Sequence, residues 1–136
     1  MKILIVDSDW RFAKGARDYL ERYGHYVVHQ PDASRALHEA SKWRPDLIMV
    51  DCAIESCSNG ELLKAFRRLI PRPVVLLTAH LDDFGNAWHA WQHGGDELLF
   101  KPLLHSSELH TAIITAMQNA TCPSRRPHAR PMPLSA

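Results

Sequence analysis

No apolar run in the 136-residue sequence approaches the roughly 20 residues that cross a membrane. The N-terminus, MKILIVD, has one lysine and too short an apolar run for a signal peptide. Charge of one sign is also scarce, with a formal net charge of +1. Arg125, Arg126 and Arg130 fall in residues 121–136 with no acid beside them, so 13 of the 16 basic residues face all 15 acids in the first 120 residues. A body that close to neutral gives no electrostatic basis for binding nucleic acid directly. The cysteines are Cys52, Cys57 and Cys122. An odd count, with no tight pair and no matching histidine spacing, argues against a disulfide framework or a zinc site. The expectation is a reduced, cytoplasmic protein with no membrane partner.

What is present is a regular alternation. Five short apolar runs rich in strand formers occur: ILIV (3–6), YVVH (26–29), LIMV (47–50), VVLL (74–77) and ELLF (97–100). Between them the apolar residues recur at helical spacing, most clearly in Leu109, Ala112, Ile113, Ala116, Met117 and Ala120. Asp9 and Asp32 are placed to cap the first two helices, Ser58 with Glu61 has capping-box spacing before the third, and Ser106 can cap the last. A βα unit repeated five times predicts an α/β protein with a five-stranded parallel sheet between two helix layers. Five strands suit a doubly wound, flavodoxin-like (βα)5 fold of order 2-1-3-4-5, not a closed barrel. Residues 1–120 make one domain. Residues 121–136, rich in proline and arginine, are expected to be a solubilising tail without fixed structure.

In such a sheet ligands bind outside the carboxyl ends of the strands, where the strand order reverses. The first strand ends in Asp7, the third in Asp51, the fourth in Thr78 and the fifth in Lys101. One acid at a strand end is ordinarily a helix cap or a solvated loop residue. Four suitable groups on four strand ends of one fold are harder to explain that way. Carboxylates can hold Mg²⁺, and an ammonium and a hydroxyl can hold phosphate oxygens, which is the outline of a phosphoryl-transfer site.

The stretches KILIVDSD, RPDLIMVD, NGELL, RPVVLLTAH and GGDELLFKP, taken in order, resemble the receiver domain of two-component response regulators over residues 2 to 119. The resemblance implies that Asp51 is the phosphoacceptor, taking a phosphoryl group from a sensor histidine kinase or a phosphotransfer protein. It implies that Asp7 and Asp51, with the backbone carbonyl of Ala53, form the Mg²⁺ pocket. Thr78 and Lys101 would contact the phosphoryl oxygens, and the Lys101–Pro102 peptide is often cis in this family. With no output domain in the sequence, the signal would pass to a downstream protein target by direct contact. Catalysis would be confined to the chain itself, as gain and loss of phosphate.

The chain also departs from the family pattern. Ser8 stands where a second acid usually ligates the metal, so Mg²⁺ is expected to be held weakly. Asp9, one residue later, is read as the helix cap, with a role in the metal pocket as the alternative. Leu98 replaces the usual switch aromatic, and the loop CAIESCSNG after Asp51 is one residue longer than usual and lacks the usual Met-Pro. Two other readings follow. A degenerate receiver would keep the fold and act as an interaction module without phosphorylation. A phosphatase of the haloacid-dehalogenase type would use Asp7 as nucleophile in DSD, but it needs a further acidic pair after Lys101, and only Glu108 follows. His89 and His93 have metal-ligand spacing without a third ligand, and are read as a solvated helix face. Cys52 is read as a small core residue. Of Trp88 and Trp91, at least one is expected in the core.

Overall fold

The computed structural model describes residues 1–122. Five parallel strands, β1 (Lys2–Val6), β2 (Tyr26–Gln30), β3 (Leu47–Asp51), β4 (Val74–His80) and β5 (Glu97–Lys101), lie in the order β2-β1-β3-β4-β5. All five apolar runs are strands, and the topology is the one expected. The helices among the described residues are α1 (Trp10–Arg22), α2 (Ala36–Trp43), α3 (Glu55–Ser58), α4 (Glu61–Arg67), α5 (Phe84–His93) and α6 (Ser107–Thr121). α6 thus runs one residue into the stretch expected to be a tail, and the remainder of that stretch, 123–136, lies outside the described residues.

The two-residue period of a strand divides the core. Leu4, Val6, Ile48, Val50, Val75, Leu77 and Ala79 pack on one face of the sheet with α4 and α5 residues such as Leu63, Phe66 and Trp91. Ile3, Ile5, Leu47, Met49, Leu76 and Leu99 pack on the other with α1 and α6, through Ala13, Leu20, Leu109 and Ile113. The central strands β1 and β3 are buried on both faces, whereas the edge strand β2 is partly exposed along its length. Trp91 is buried, Trp88 is half-buried on the same cluster, and His89 is exposed, as the periodicity of α5 suggests.

Helix starts follow the sequence in part. Asp9 caps α1, its carboxylate accepting from the amides of Arg11 and Phe12. Asp32 caps a single 3₁₀ turn, Ala33–Arg35, that leads into α2. Two expected caps are not formed. Ser58 closes α3 and donates to the Glu55 carbonyl, while the Glu61 amide is taken by the Asn59 side chain and Gly60 occupies the cap position of α4. The segment after Asp51 folds into the one-turn helix α3, which ends at Ser58, and α4 starts only at Glu61. Gly60 has φ +87°, and a Cβ there would collide with the His93 ring. That packing half-buries His93, which was expected on the solvated face. At α6, Ser106 makes no side-chain cap bond, and the Glu108 carboxylate instead accepts from the Leu104 and His105 amides. The amides that a Ser106 cap would serve, Glu108 and Leu109, bond instead to the His105 and Ser106 carbonyls, because Ser106 already has helical backbone angles.

The Asp9 cap sets the entry of α1 beside the cleft. Asp9→Ala is expected to cost about 1 kcal/mol. It should lower the melting temperature by a few degrees, while Asp9→Asn, which keeps the acceptor oxygen, should cost much less. Thermal melts of both variants by circular dichroism check this.

Candidate functional site

Strand parity explains why four separate residues meet. Asp7 continues the alternation of Ile3 and Ile5, Asp51 that of Leu47 and Met49, Thr78 that of Leu76, and Lys101 that of Leu99. All four therefore lie on the α1/α6 side of the sheet, at its carboxyl edge. Register completes the placement, with Val6 beside Val50, Asp51 beside Thr78, and Lys101 beside His80. All four site residues are buried.

The Lys101 ammonium lies 2.9 Å from Asp7 Oδ2 and 3.8 Å from Asp51 Oδ2. The first is a charge-assisted hydrogen bond, and the second is an ion pair too long to be one. The other oxygen of Asp7, Oδ1, accepts from the Asp9 amide at 2.9 Å. Asp51 Oδ1 accepts from the Ala53 amide at 3.2 Å. Thr78 Oγ1 donates to the Val50 carbonyl at 3.5 Å, a long contact that leaves the hydroxyl little tied down. The Lys101–Pro102 peptide is cis. Burial and the charge on Asp7 push the Asp51 carboxyl above its usual range, against the opposing pull of Lys101, the Ala53 amide and His80.

Asp7 and Asp51 are thus a carboxylate pair with a single ammonium between them. Mg²⁺ needs only one or two carboxylates and keeps several waters, so the pair suits a hydrated divalent ion. Ser8 is exposed, and Asp9 spends its Oδ1 on the α1 amides. Among the described residues no group of three or more His, Cys, Asp or Glu gathers as a metal cluster. Ala53 is exposed next to Asp51.

Leu98 is half-buried against the α5 side of the core, three residues before Lys101, and Phe100 packs on the same cluster one pleat nearer the lysine. Cys52 is fully buried, as expected. Its thiol is hydrogen-bonded to Cys57, a pairing the five-residue spacing did not signal, and that bond together with burial pushes Cys52 far above the usual thiol range. Three further neighbours escape sequence reasoning. His29 Nε2 meets the Asp7 carbonyl at 2.7 Å, reaching across from β2. Phe12 covers the Lys101 ammonium, with 4.6 Å from nitrogen to ring centre. His80 shares a groove of about 340 Å³ with Phe12, Lys101 and Pro102, between α1 and the start of α6. Only Phe12 carried a signal, since the third residue after a cap lies in the first helical turn and turns back toward it.

Comparison with known proteins agrees with this geometry. The family model of the response regulator receiver domain matches residues 3–114. The alkaline phosphatase synthesis transcriptional regulatory protein PhoP of Bacillus subtilis is 30% identical over 102 residues, covering 74% of this chain and 42% of that protein. The transcriptional regulatory protein ResD of the same organism is 26% identical over 131 residues, covering 91% of this chain and 54% of its own length. The chain therefore spans about half the length of these relatives. Among solved structures, a response regulator receiver domain protein from Clostridium thermocellum superposes with a TM-score of 0.73 at 23% identity, over 88% of this chain and 96% of that one. A response regulator protein from Burkholderia pseudomallei, described with a phosphorylated aspartic acid, a calcium ion and citrate, superposes with a TM-score of 0.67 at 21% identity. It covers 91% of this chain and 74% of its own.

The raised Asp51 carboxyl has a consequence for stability. Its folded value lies above the ordinary 3.8, so the folded state holds this proton more tightly than the unfolded state. The associated stability is present at low pH and is lost as pH rises from about 3.8 through the folded value. At neutral pH the ionised group is a net cost. Asp51→Asn is expected to raise the melting temperature at neutral pH, with the gain shrinking toward zero as the pH is lowered to 3.8 and below. Melts across that range, with wild type alongside, check the sign.

Proposed function

Because the chain belongs to the response regulator receiver domain family of two-component signalling, we propose that it is a phosphoacceptor switch. It takes a phosphoryl group on Asp51 from a sensor histidine kinase or a phosphotransfer protein, and signals through protein–protein contacts with a downstream target. The observation that carries this reading is the convergence of Asp7, Asp51, Thr78 and Lys101 on one face of the sheet edge, with the Lys101 ammonium reaching both carboxylates. The phosphorylated aspartic acid in the Burkholderia neighbour supports it.

The chemistry is a direct transfer. A carboxylate oxygen of Asp51 attacks the phosphorus of a phosphohistidine. The O–P bond forms as the P–N bond breaks, and the electron pair stays on the imidazole nitrogen. Lys101 and Thr78 take the phosphoryl oxygens, the ammonium by charge and the hydroxyl by hydrogen bond. Water later cleaves the acyl phosphate, returning the carboxylate and inorganic phosphate. The chain thus acts on itself and not on a diffusible metabolite. Asp7, Asp51 and the Ala53 carbonyl would hold Mg²⁺, which when bound would supply neutralising charge to the phosphoryl group. Ser8 in place of a third acid makes that binding weak. The reading places the chain in the cytoplasm, with no direct contact to nucleic acid. No helix among the described residues is long and apolar enough to cross a membrane.

Asp7 as the nucleophile of a phosphatase fits this geometry poorly, because both of its oxygens are engaged, one by Lys101 and one by the Asp9 amide. With Thr78 held only by a long bond to the Val50 carbonyl and Leu98 in place of an aromatic, the switch is read through the loop after β4 and through α5.

Incubation with Mg²⁺ and acetyl phosphate, followed by intact mass measurement, tests the proposal. One added phosphoryl group that is lost in Asp51→Asn is the expected result. A chain that stays unmodified with this donor and with histidine kinases or phosphotransfer proteins is an interaction module that works without phosphorylation.

A further inference from the structure

The contacts around the cleft close into a ring. The Asp9 amide donates to Asp7 Oδ1, and Asp9 Oδ1 in turn accepts from the Phe12 amide at 3.2 Å. The Phe12 ring lies over the Lys101 ammonium at 4.6 Å, and that ammonium donates to Asp7 Oδ2 at 2.9 Å. One of these four links lies within the DSD stretch and two more start from it, and the aromatic ring closes the circuit to the far end of β5. We propose that Phe12 is a positioning residue for Lys101, and that the Asp9 cap sets its ring over the ammonium.

Burial and geometry make the case. Lys101 is only 2% exposed, so its ammonium is cut off from bulk water. It has three N–H groups, and the carboxylates offer one short acceptor and one at 3.8 Å. The ring face supplies negative quadrupole where water would otherwise stand, and this attraction grows as the cation is desolvated. An aliphatic side chain of similar size fills the space without that attraction. Lys101 has a long, flexible stem, and its neighbouring groove between α1 and α6 is open to solvent beside Phe12, His80 and Pro102. Without the ring, the ammonium gains a hydrated alternative on the groove side and spends less time within reach of Asp51. The ring therefore acts through Lys101 and touches no reacting atom. The same chain of contacts gives Asp9 a second task beyond ending the helix, since its carboxylate fixes the backbone from which the ring projects.

This inference rests on the phosphoacceptor reading of Asp51, and its test separates the two. The variants are Phe12→Leu and Phe12→Tyr, each with a thermal melt to confirm folding. The first measurement is the ¹H–¹⁵N signal of the Lys101 ammonium and its hydrogen exchange with water, which needs no phosphorylation. Exchange should speed up about tenfold in Phe12→Leu and stay near wild type in Phe12→Tyr, the scale of a lost desolvated cation–π contact. The second is the rate of phosphorylation of Asp51 from acetyl phosphate, which should fall by a similar factor in Phe12→Leu and be rescued in Phe12→Tyr. If a folded Phe12→Leu matches wild type in ammonium exchange, the ring is only packing and the proposal is overturned. If exchange responds as expected while wild type takes no phosphate, the positioning of Lys101 stands and the phosphoacceptor reading fails.

Discussion

A single ammonium shared by two buried carboxylates is the constraint on which the rest of this molecule turns. Lys101 reaches Asp7 and Asp51 from the edge strand β5, and none of the three groups has ready access to water. Removing one partner of the close Lys101–Asp7 pair typically costs about 3–5 kcal/mol, whereas Asp51, 3.8 Å from the ammonium, is the surplus carboxylate. The triad is incomplete, because two carboxylates outweigh one ammonium. Burial raises the Asp51 carboxyl and the charge on Asp7 adds to it, and a phosphoryl group carrying a charge of about −1.5 to −2 would enlarge the imbalance. On the proposed function, a cleft that accepts such a group would need further positive charge as it arrives, and the thin carboxylate set around Ser8 would then bear on how readily phosphate is gained and lost.

Much of this was legible in the sequence because strands and their ends are read from local pattern. The runs ILIV, LIMV and VVLL are continuous because β1, β3 and β4 are buried on both faces, and the residue that ends each run falls at the carboxyl edge. The alternation of side chains then decides which of those end residues can meet. Asp7, Asp51, Thr78 and Lys101 have the same parity as the residues that pack under α1 and α6, so one sheet face gathers all four. The caps at Asp9 and Asp32 were legible for the same reason, since a side chain two or three residues from its partner amide needs only local geometry.

What stayed hidden depends on contacts between distant elements or on competition. At the start of α6 the His105 and Ser106 carbonyls take the amides that the Ser106 side chain was expected to cap, and the segment after Asp51 folds into α3 and puts Asn59 and Gly60, not Ser58, at the start of α4. The His93 ring against Gly60, the His29 side chain on the Asp7 carbonyl and the Phe12 ring over Lys101 each join residues far apart in sequence. No periodicity reports such pairs. The hydrogen bond between the Cys52 and Cys57 thiols is similar, for it exists only because α3 folds back on the strand end.

The most direct test of the shared-ammonium account is a titration of the Asp51 carboxyl by ¹³C NMR in wild type, Asp7→Asn and Lys101→Met, without metal. The account predicts that Asp7→Asn lowers the apparent pKa of Asp51, because a repelling charge is removed, and that Lys101→Met raises it, because the attracting charge is removed. Curves for folded variants that overlay the wild type in both cases would contradict it, and would mean that burial alone sets the charge of Asp51.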